Sequence, residues 1–164
     1  MDSSIPTFKS SYQYEGKTIL VAWFDLIDKH IPDILWQQVY AIGDLDGKVP
    51  VVFHSDRDVA NLPGGHTEQG ESIDETIKRE MIEETNLKVI WWKPLGYQKL
   101  TDPDGTTVNQ LRVYAKLEKI DDFVNDPGGL VTGYKLIKLN ELNKNIRYER
   151  TGDHLELLAS RYFV

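Results

Sequence analysis

Apolar and polar positions alternate along several short stretches of the chain, and the period changes once, near the middle, from two to about four residues. Tyr12-Gln13-Tyr14 and the apolar run Ile19–Ile27 flank Glu15-Gly16-Lys17, which predicts a hairpin. Gln38–Ile42 and Val49–His54 flank Asp44-Leu45-Asp46-Gly47 and predict a second one. A loop ending in Pro63-Gly64-Gly65 follows. Ile73, Ile77 and Met81 then recur every four residues, so the spacing predicts a helix over Ile73–Thr85. Ser72 and Glu75 have the spacing of a capping box, and Asn86 stands where a left-handed cap would close the helix. Leu87–Leu100 and Thr107–Leu117 read as strands joined by the turn Asp102-Pro103-Asp104-Gly105. A strand over Val131–Leu139, short helical material near Asn140–Asn143 and an amphipathic helix over Asp153–Tyr162 complete the pattern. Strands around one mid-chain helix, with another helix at the end, predict an α/β (α+β) fold in which helices cover a mixed sheet.

Composition narrows the function. The 164 residues fit one domain, 1–164, and show no repeat or low-complexity linker. A net charge of −7 argues against a surface that tracks duplex nucleic acid, although a bound cation would still admit small anionic substrates. With no cysteine, disulfides, thiolate nucleophiles and thiolate metal sites are excluded. The run Ile19–Ile27 is broken by Asp25 and is too short to span a bilayer, and MDSSIPTFKSS lacks the pattern of a signal peptide. The expected setting is cytoplasmic, away from membranes, with the oligomeric state left open.

The segment Gly65–Leu87 concentrates the candidate chemistry. Glu80, Glu83 and Glu84 lie at i, i+3 and i+4 and so share one side of the predicted helix, with Glu68 and Glu71 just before it. Like charges on adjacent turns repel by about 1–4 kcal/mol per close pair, depending on screening. Lys78 and Arg79 are too few to neutralise the set. A hard divalent cation would relieve the repulsion. So would plain solvation, helped by i,i+4 pairs such as Glu75 with Arg79, and charge alone leaves both readings open. The turn Leu62-Pro63-Gly64-Gly65 favours a ligand, because its backbone permits close approach.

These residues resemble the signature of the Nudix hydrolases: a glycine, five residues, a glutamate, seven residues, then Arg-Glu-apolar-x-Glu-Glu-x-Gly-apolar. Gly65, Glu71, Arg79, Glu80, Met81, Glu83, Glu84 and Leu87 fall in register, with Asn86 in place of the final glycine. Six fixed identities coincide by chance at about one starting position in 10⁷. The resemblance covers Leu62–Leu87 sharply and the remaining strand order loosely.

The resemblance implies a Nudix-like α/β/α sandwich with a mixed sheet and a central loop-helix-loop. It also implies metal-dependent hydrolysis of a diphosphate linkage in a small nucleotide or nucleoside diphosphate derivative, using metal-activated water and a glutamate base. On this reading Glu80, Glu83 and Glu84 hold Mg²⁺ or Mn²⁺, and Glu83, or else Glu80, is the base. Arg79 pairs with Glu71 to fix the loop on the helix, while Gly64 and Gly65 offer backbone groups to the ligand. Outside the box, Arg57 is a candidate phosphate contact, and Glu118, Asp121 and Asp122 are candidates for an additional carboxylate. Trp91 and Trp92 should point to opposite faces of their strand, and Tyr40, Tyr97 and Tyr114 read as packing residues. Isopentenyl diphosphate isomerases of the same superfamily use a catalytic cysteine, which this chain lacks. The alternative is a non-catalytic nucleotide-binding module of the same fold.

Overall fold

In the strand Lys17–Asp25, Ile19, Val21 and Trp23 are buried while their neighbours are exposed or half-buried, so a two-residue period turns one face of the strand inward. The computed structural model in which this is seen describes residues 5–163. The expectation for the extreme N-terminus therefore falls partly, over residues 1–4, outside the described residues.

In chain order the strands are β1 (Phe8–Tyr14), β2 (Lys17–Asp25), β3 (Gln38–Asp44), β4 (Val49–His54) and β5 (Gly64–His66), then β6 (Leu87–Thr101), β7 (Thr107–Lys119) and β8 (Val131–Ile137). The helices are α1 (Ile73–Thr85), α2 (Leu142–Ile146) and α3 (Glu149–Ser160), with a 3₁₀ turn at Leu139–Glu141 before α2. Six strands form a mixed sheet in the order β1-β2-β6-β7-β3-β5, in which only β3 and β7 run parallel. β4 and β8 form a separate antiparallel pair.

Two apolar clusters lie on opposite faces of the large sheet. On one, Ile77 and Met81 of α1 pack on Val39, Ala41, Leu111 and Val113. On the other, Trp23, Ile42 and Tyr114 meet Val49 and Val51 of β4 and Leu142, Ile146, Leu155 and Ala159 of α2 and α3. This gives the expected helix–sheet–helix layering. The adjacent tryptophans divide as strand geometry requires: Trp91 packs on Tyr114, and Trp92 joins the α1 side, where its indole N–H donates to Asp74 at 2.9 Å. Tyr97 and Tyr114 are buried, whereas Tyr40 is only half-buried.

α1 starts and ends where the local signals place it. Ser72 Oγ accepts from the Glu75 N–H at 3.2 Å and Glu75 accepts from the Ser72 N–H at 2.8 Å. Asn86 adopts the left-handed conformation, φ 56° and ψ 31°, and its N–H closes on the Ile82 carbonyl.

Three expectations are corrected. β3 and β4 do not form a hairpin: only Leu45 and Lys48 bridge, after which β3 stays between β7 and β5 while β4 leaves to pair with β8. The end of the predicted loop at Gly64–Gly65 is instead β5, a strand created by pairing with Val39 and Tyr40. The last helix begins at Glu149, ahead of the predicted Asp153. Among the described residues no helix is long and apolar enough to cross a membrane.

Candidate active site

β5 lies close against both α1 and β3 because Gly65 carries no side chain toward the helix and Gly64 none toward β3. A Cβ at Gly65 would stand 2.7 Å from a Glu80 carboxylate oxygen, and one at Gly64 would stand 2.2 Å from the Val39 carbonyl oxygen. Gly64 also has φ +146°, a conformation that other residues rarely adopt. Its N–H donates to Glu84 Oε1 at 2.7 Å, a bond that ties strand to helix.

Arg79 organises the rest. Its Nε and Nη2 donate to the two oxygens of Glu71 at 2.7 and 2.9 Å, a two-pronged pair. Nη2 also reaches the His66 carbonyl at 3.0 Å, and Nη1 reaches Glu80 at 2.9 Å and Glu83 at 3.3 Å. Glu71 further accepts from the Thr76 hydroxyl at 2.6 Å and the Glu68 N–H at 3.1 Å. Arg79 thus clamps the loop between β5 and α1. Its partner is Glu71 rather than Glu75, which is engaged at the cap, and the i,i+4 surface pair is Asp74 with Lys78 at 2.8 Å.

The carboxylates differ in acidity according to their surroundings. The Arg79 bonds, with help from Thr76, hold Glu71 down at about 2. Glu84, only 5% exposed, is pushed up to about 8 by loss of solvent and by the charges of Glu80, Asp126 and Glu83, against the pull of the Gly64 N–H. Burial also raises Glu80, with Arg79 opposing it and Glu83 and Asp126 adding to it. The three glutamates do not converge on one point: Glu80 and Glu83 turn to Arg79 and Glu84 turns to Gly64. Among the described residues no three carboxylates or histidines are grouped closely enough to hold an ion as they stand. The donor set nevertheless suits a hard cation, being all oxygen, crowded, partly buried and short of positive charge apart from Arg79.

Other sequence expectations are placed as follows. The Gly64 N–H is taken by Glu84, which leaves the carbonyl groups of Gly64 and Gly65 among the backbone groups expected to meet a ligand. Arg57 is exposed on the loop after β4 and makes no side-chain bond to the glutamates, though its charge reaches Tyr40 and Tyr148. Of the candidates for an additional carboxylate, Asp122 pairs with Lys119 at 2.7 Å. The acidic neighbour of Glu80 and Glu84 outside the box is Asp126, which the sequence reading missed. Its carboxylate accepts from the N–H groups of Gly128 at 2.9 Å and Val131 at 3.0 Å, so the loop before β8 fixes its position. The Asp-Pro-Gly-Gly string at 126–129 was the available signal, being a turn that opens with an acid. Pro103 lies in the β6–β7 turn, closed by Gly105 N–H on the Asp102 carbonyl.

A family model described as NUDIX domain matches residues 35–158. The chain is similar in structure to a pyrophosphohydrolase of Bacillus subtilis, at 22% identity over 94% of this chain and 99% of that one, with a TM-score of 0.69. It is similar also to a NUDIX hydrolase of Nitrosomonas europaea, at 22% identity, 79% and 91% coverage and a TM-score of 0.62. A third neighbour is a UDP-X diphosphatase, at 23% identity, 80% and 65% coverage and a TM-score of 0.56. No curated protein matches the chain. At these identities the solved structures speak for the fold, while the family model spans well over half of the chain and takes in β3 to α3 with the whole glutamate segment: the chain belongs to the Nudix family of hydrolases.

Proposed function

We propose that this protein hydrolyses a phosphoanhydride linkage in a small nucleotide or nucleoside diphosphate derivative. The observation that carries the reading is the burial of Glu84 and Glu80 against Gly64–Gly65 with too little positive charge around them. The neighbours described as a pyrophosphohydrolase and a diphosphatase support the same class of bond. Mg²⁺ or Mn²⁺ held by Glu80, Glu83 and Glu84 would supply Lewis acidity toward phosphate oxygens and a water acidic enough to react near neutral pH.

The side chains have separate tasks. Glu83 has a side chain 31% exposed, against 14% for Glu80, so it is the carboxylate best placed to take a proton from a solvent water. That proton passes to Glu83 as the water oxygen bonds to phosphorus and the phosphoanhydride P–O bond breaks, with the electron pair leaving on the departing phosphate. Glu80 is the second choice for this base. Glu84 places one oxygen, Oε1, on the Gly64 N–H, which fixes the strand against the helix, and would offer the other to the metal. Arg79 and Glu71 hold the loop, so the geometry of the acids persists through turnover. Arg57, exposed on the loop after β4, is the side chain proposed to meet the outer phosphate.

We take the chain to act as a single domain over residues 1–164, in the cytoplasm, without duplex nucleic acid or a membrane as partner. The test is cleavage of nucleoside triphosphates, dinucleoside polyphosphates and nucleotide sugars with Mg²⁺ or Mn²⁺, repeated with Glu83→Gln and Glu84→Gln. Glu83→Gln should lose at least about 100-fold in turnover, the usual scale for general base catalysis, and Glu84→Gln should also lose turnover, as one of the acids that would hold the metal. Unchanged turnover in both rejects the reading, and nucleotide binding with no cleavage by the unmutated protein favours a binding module.

A further inference from the structure

Arg112, on β7, is a buried cation with no acid beside it. It is 2% exposed, and among the described residues no carboxylate lies within ion-pairing distance of it. Of its five N–H donors, one reaches Gln110 Oε1 at 3.1 Å and one the Leu111 carbonyl at a long 3.5 Å. Nε is buried and has no partner. Its neighbours are rings: the guanidinium lies 4.7 Å from the centre of Tyr40 and 6.0 Å from that of Tyr148. A charge taken out of water without a counter-charge is costly, and a stacked ring recovers only part of the cost.

The surroundings belong to the reaction site. Tyr40 lies against Gly64, and the charges of Arg112, Glu84 and Glu80 all act on its hydroxyl. On the same face of the sheet, three amides and an imidazole form a row across four strands. Gln98 donates to Gln110 at 2.5 Å, Gln110 donates to Gln38, and Gln38 bonds the His66 ring at 3.2 Å. These four side chains are half-buried or exposed, so the row faces an open part of the sheet next to β5. Planar rings, amides and one under-used guanidinium are the groups that recognise a nucleobase. A subsite for a further phosphate would instead bring several cations or a cluster of backbone N–H groups.

We propose that Arg112 is the specificity-determining residue of this enzyme and binds the paired acceptors on the edge of a 6-oxopurine base, guanine or hypoxanthine. The inference rests on the hydrolysis reading for the location of the phosphates, and adds which nucleoside they carry. A guanidinium presents adjacent donors, and a 6-oxopurine presents adjacent acceptors at O6 and N7. Adenine offers a donor where O6 would be, and cytosine and uracil lack the pair. Since Arg112 has almost no free surface and the Tyr148 hydroxyl is held by Asn61, entry of the base requires the half-buried ring of Tyr40 to turn aside.

The experiment is calorimetric binding of non-hydrolysable α,β-methylene nucleotides, so it does not depend on turnover. The unmutated protein should bind guanine and hypoxanthine nucleotides at least tenfold more tightly than those of adenine, cytosine or 2-aminopurine, the last lacking the oxygen at position 6 and, with it, the N1 proton. Arg112→Gln and Arg112→Lys, checked for folding by far-UV circular dichroism, should lose that preference, while inorganic triphosphate binds each variant and the parent within threefold. Equal binding of all bases by the parent, or no nucleotide binding at all, overturns the proposal. A uniform weakening across bases in both variants, or an equal loss for inorganic triphosphate, also overturns it and assigns Arg112 to packing or to phosphate. If neither variant folds, 7-deazaguanine nucleotides on the parent decide: loss of the N7 acceptor alone should weaken binding at least tenfold, and unchanged binding overturns the proposal. Failure of the hydrolysis reading shows separately, as tight base-selective binding without cleavage of the natural nucleotides.

Discussion

Glu84 accepts a hydrogen bond from the Gly64 backbone N–H at 2.7 Å, so the most buried acid of α1 is held by the one strand of the sheet that is largely glycine. The carboxyl is raised to about 8 in the folded chain, against about 4.5 when unfolded. Between these values the folded state keeps a proton that the unfolded state releases. The stabilising effect is therefore complete below about pH 4.5 and is lost as the pH rises through 8. Metal-free protein should melt at progressively lower temperature across that window, and Glu84→Gln should flatten the slope. A parent and variant with parallel pH profiles would contradict the assignment.

Divalent cations compete with that proton. Adding Mn²⁺ should raise the melting temperature more at pH 8 than at pH 5.5, because at the lower pH Glu84 is protonated and a poor ligand. An equal rise at both values, or none at either, would count against a cation among these acids.

Glu71 behaves in the opposite sense. Its folded value near 2 lies below the unfolded 4.5, so its contribution is present above about pH 4.5 and lost as the pH falls toward 2. Glu71→Gln should remove part of the acid-denaturation limb. Arg79→Gln should destabilise by about 2–3 kcal/mol, the scale for charged hydrogen bonds left unmade, and denaturant melts would measure it. Arg79→Lys keeps the charge but not the two-pronged geometry, so it should recover less than half of the loss.

Replacing Gly64 by alanine should cost about 1–3 kcal/mol from the backbone conformation alone. Overlap of the new methyl with the Val39 carbonyl adds to this, because the obstacle is backbone and cannot turn away. The same change at Gly65 meets only the tip of Glu80, so it should leave stability less affected while lowering turnover. Thermal melts and initial rates of the two variants separate these effects.

The parts legible in the sequence are those settled by near neighbours. The limits of α1, the reciprocal cap at Ser72 and Glu75 and the left-handed Asn86 each depend on residues within a turn of one another. The choice of strand partners is not local. Val49–His54 has the pattern of a strand, but nothing near it says that it pairs with Val131–Ile137 instead of its predecessor. β5 has no apolar alternation to read and is a strand only because β3 lies beside it. In the site, the box residues were legible from their spacing. Asp126 was not, because a loop from a distant part of the chain brings it near the helix. Arg112 gave no signal either, since one basic residue in a strand looks like any exposed one until its burial is known.

The anchoring of Asp126 by Gly128 and Val131 divides responsibility between segments that are unrelated along the chain. The proton affinity of an acid in α1 is partly set from the approach to β8. A chimaera that exchanged only the stretch between β7 and β8 with that of a relative would keep every residue of the box and still shift its working pH range.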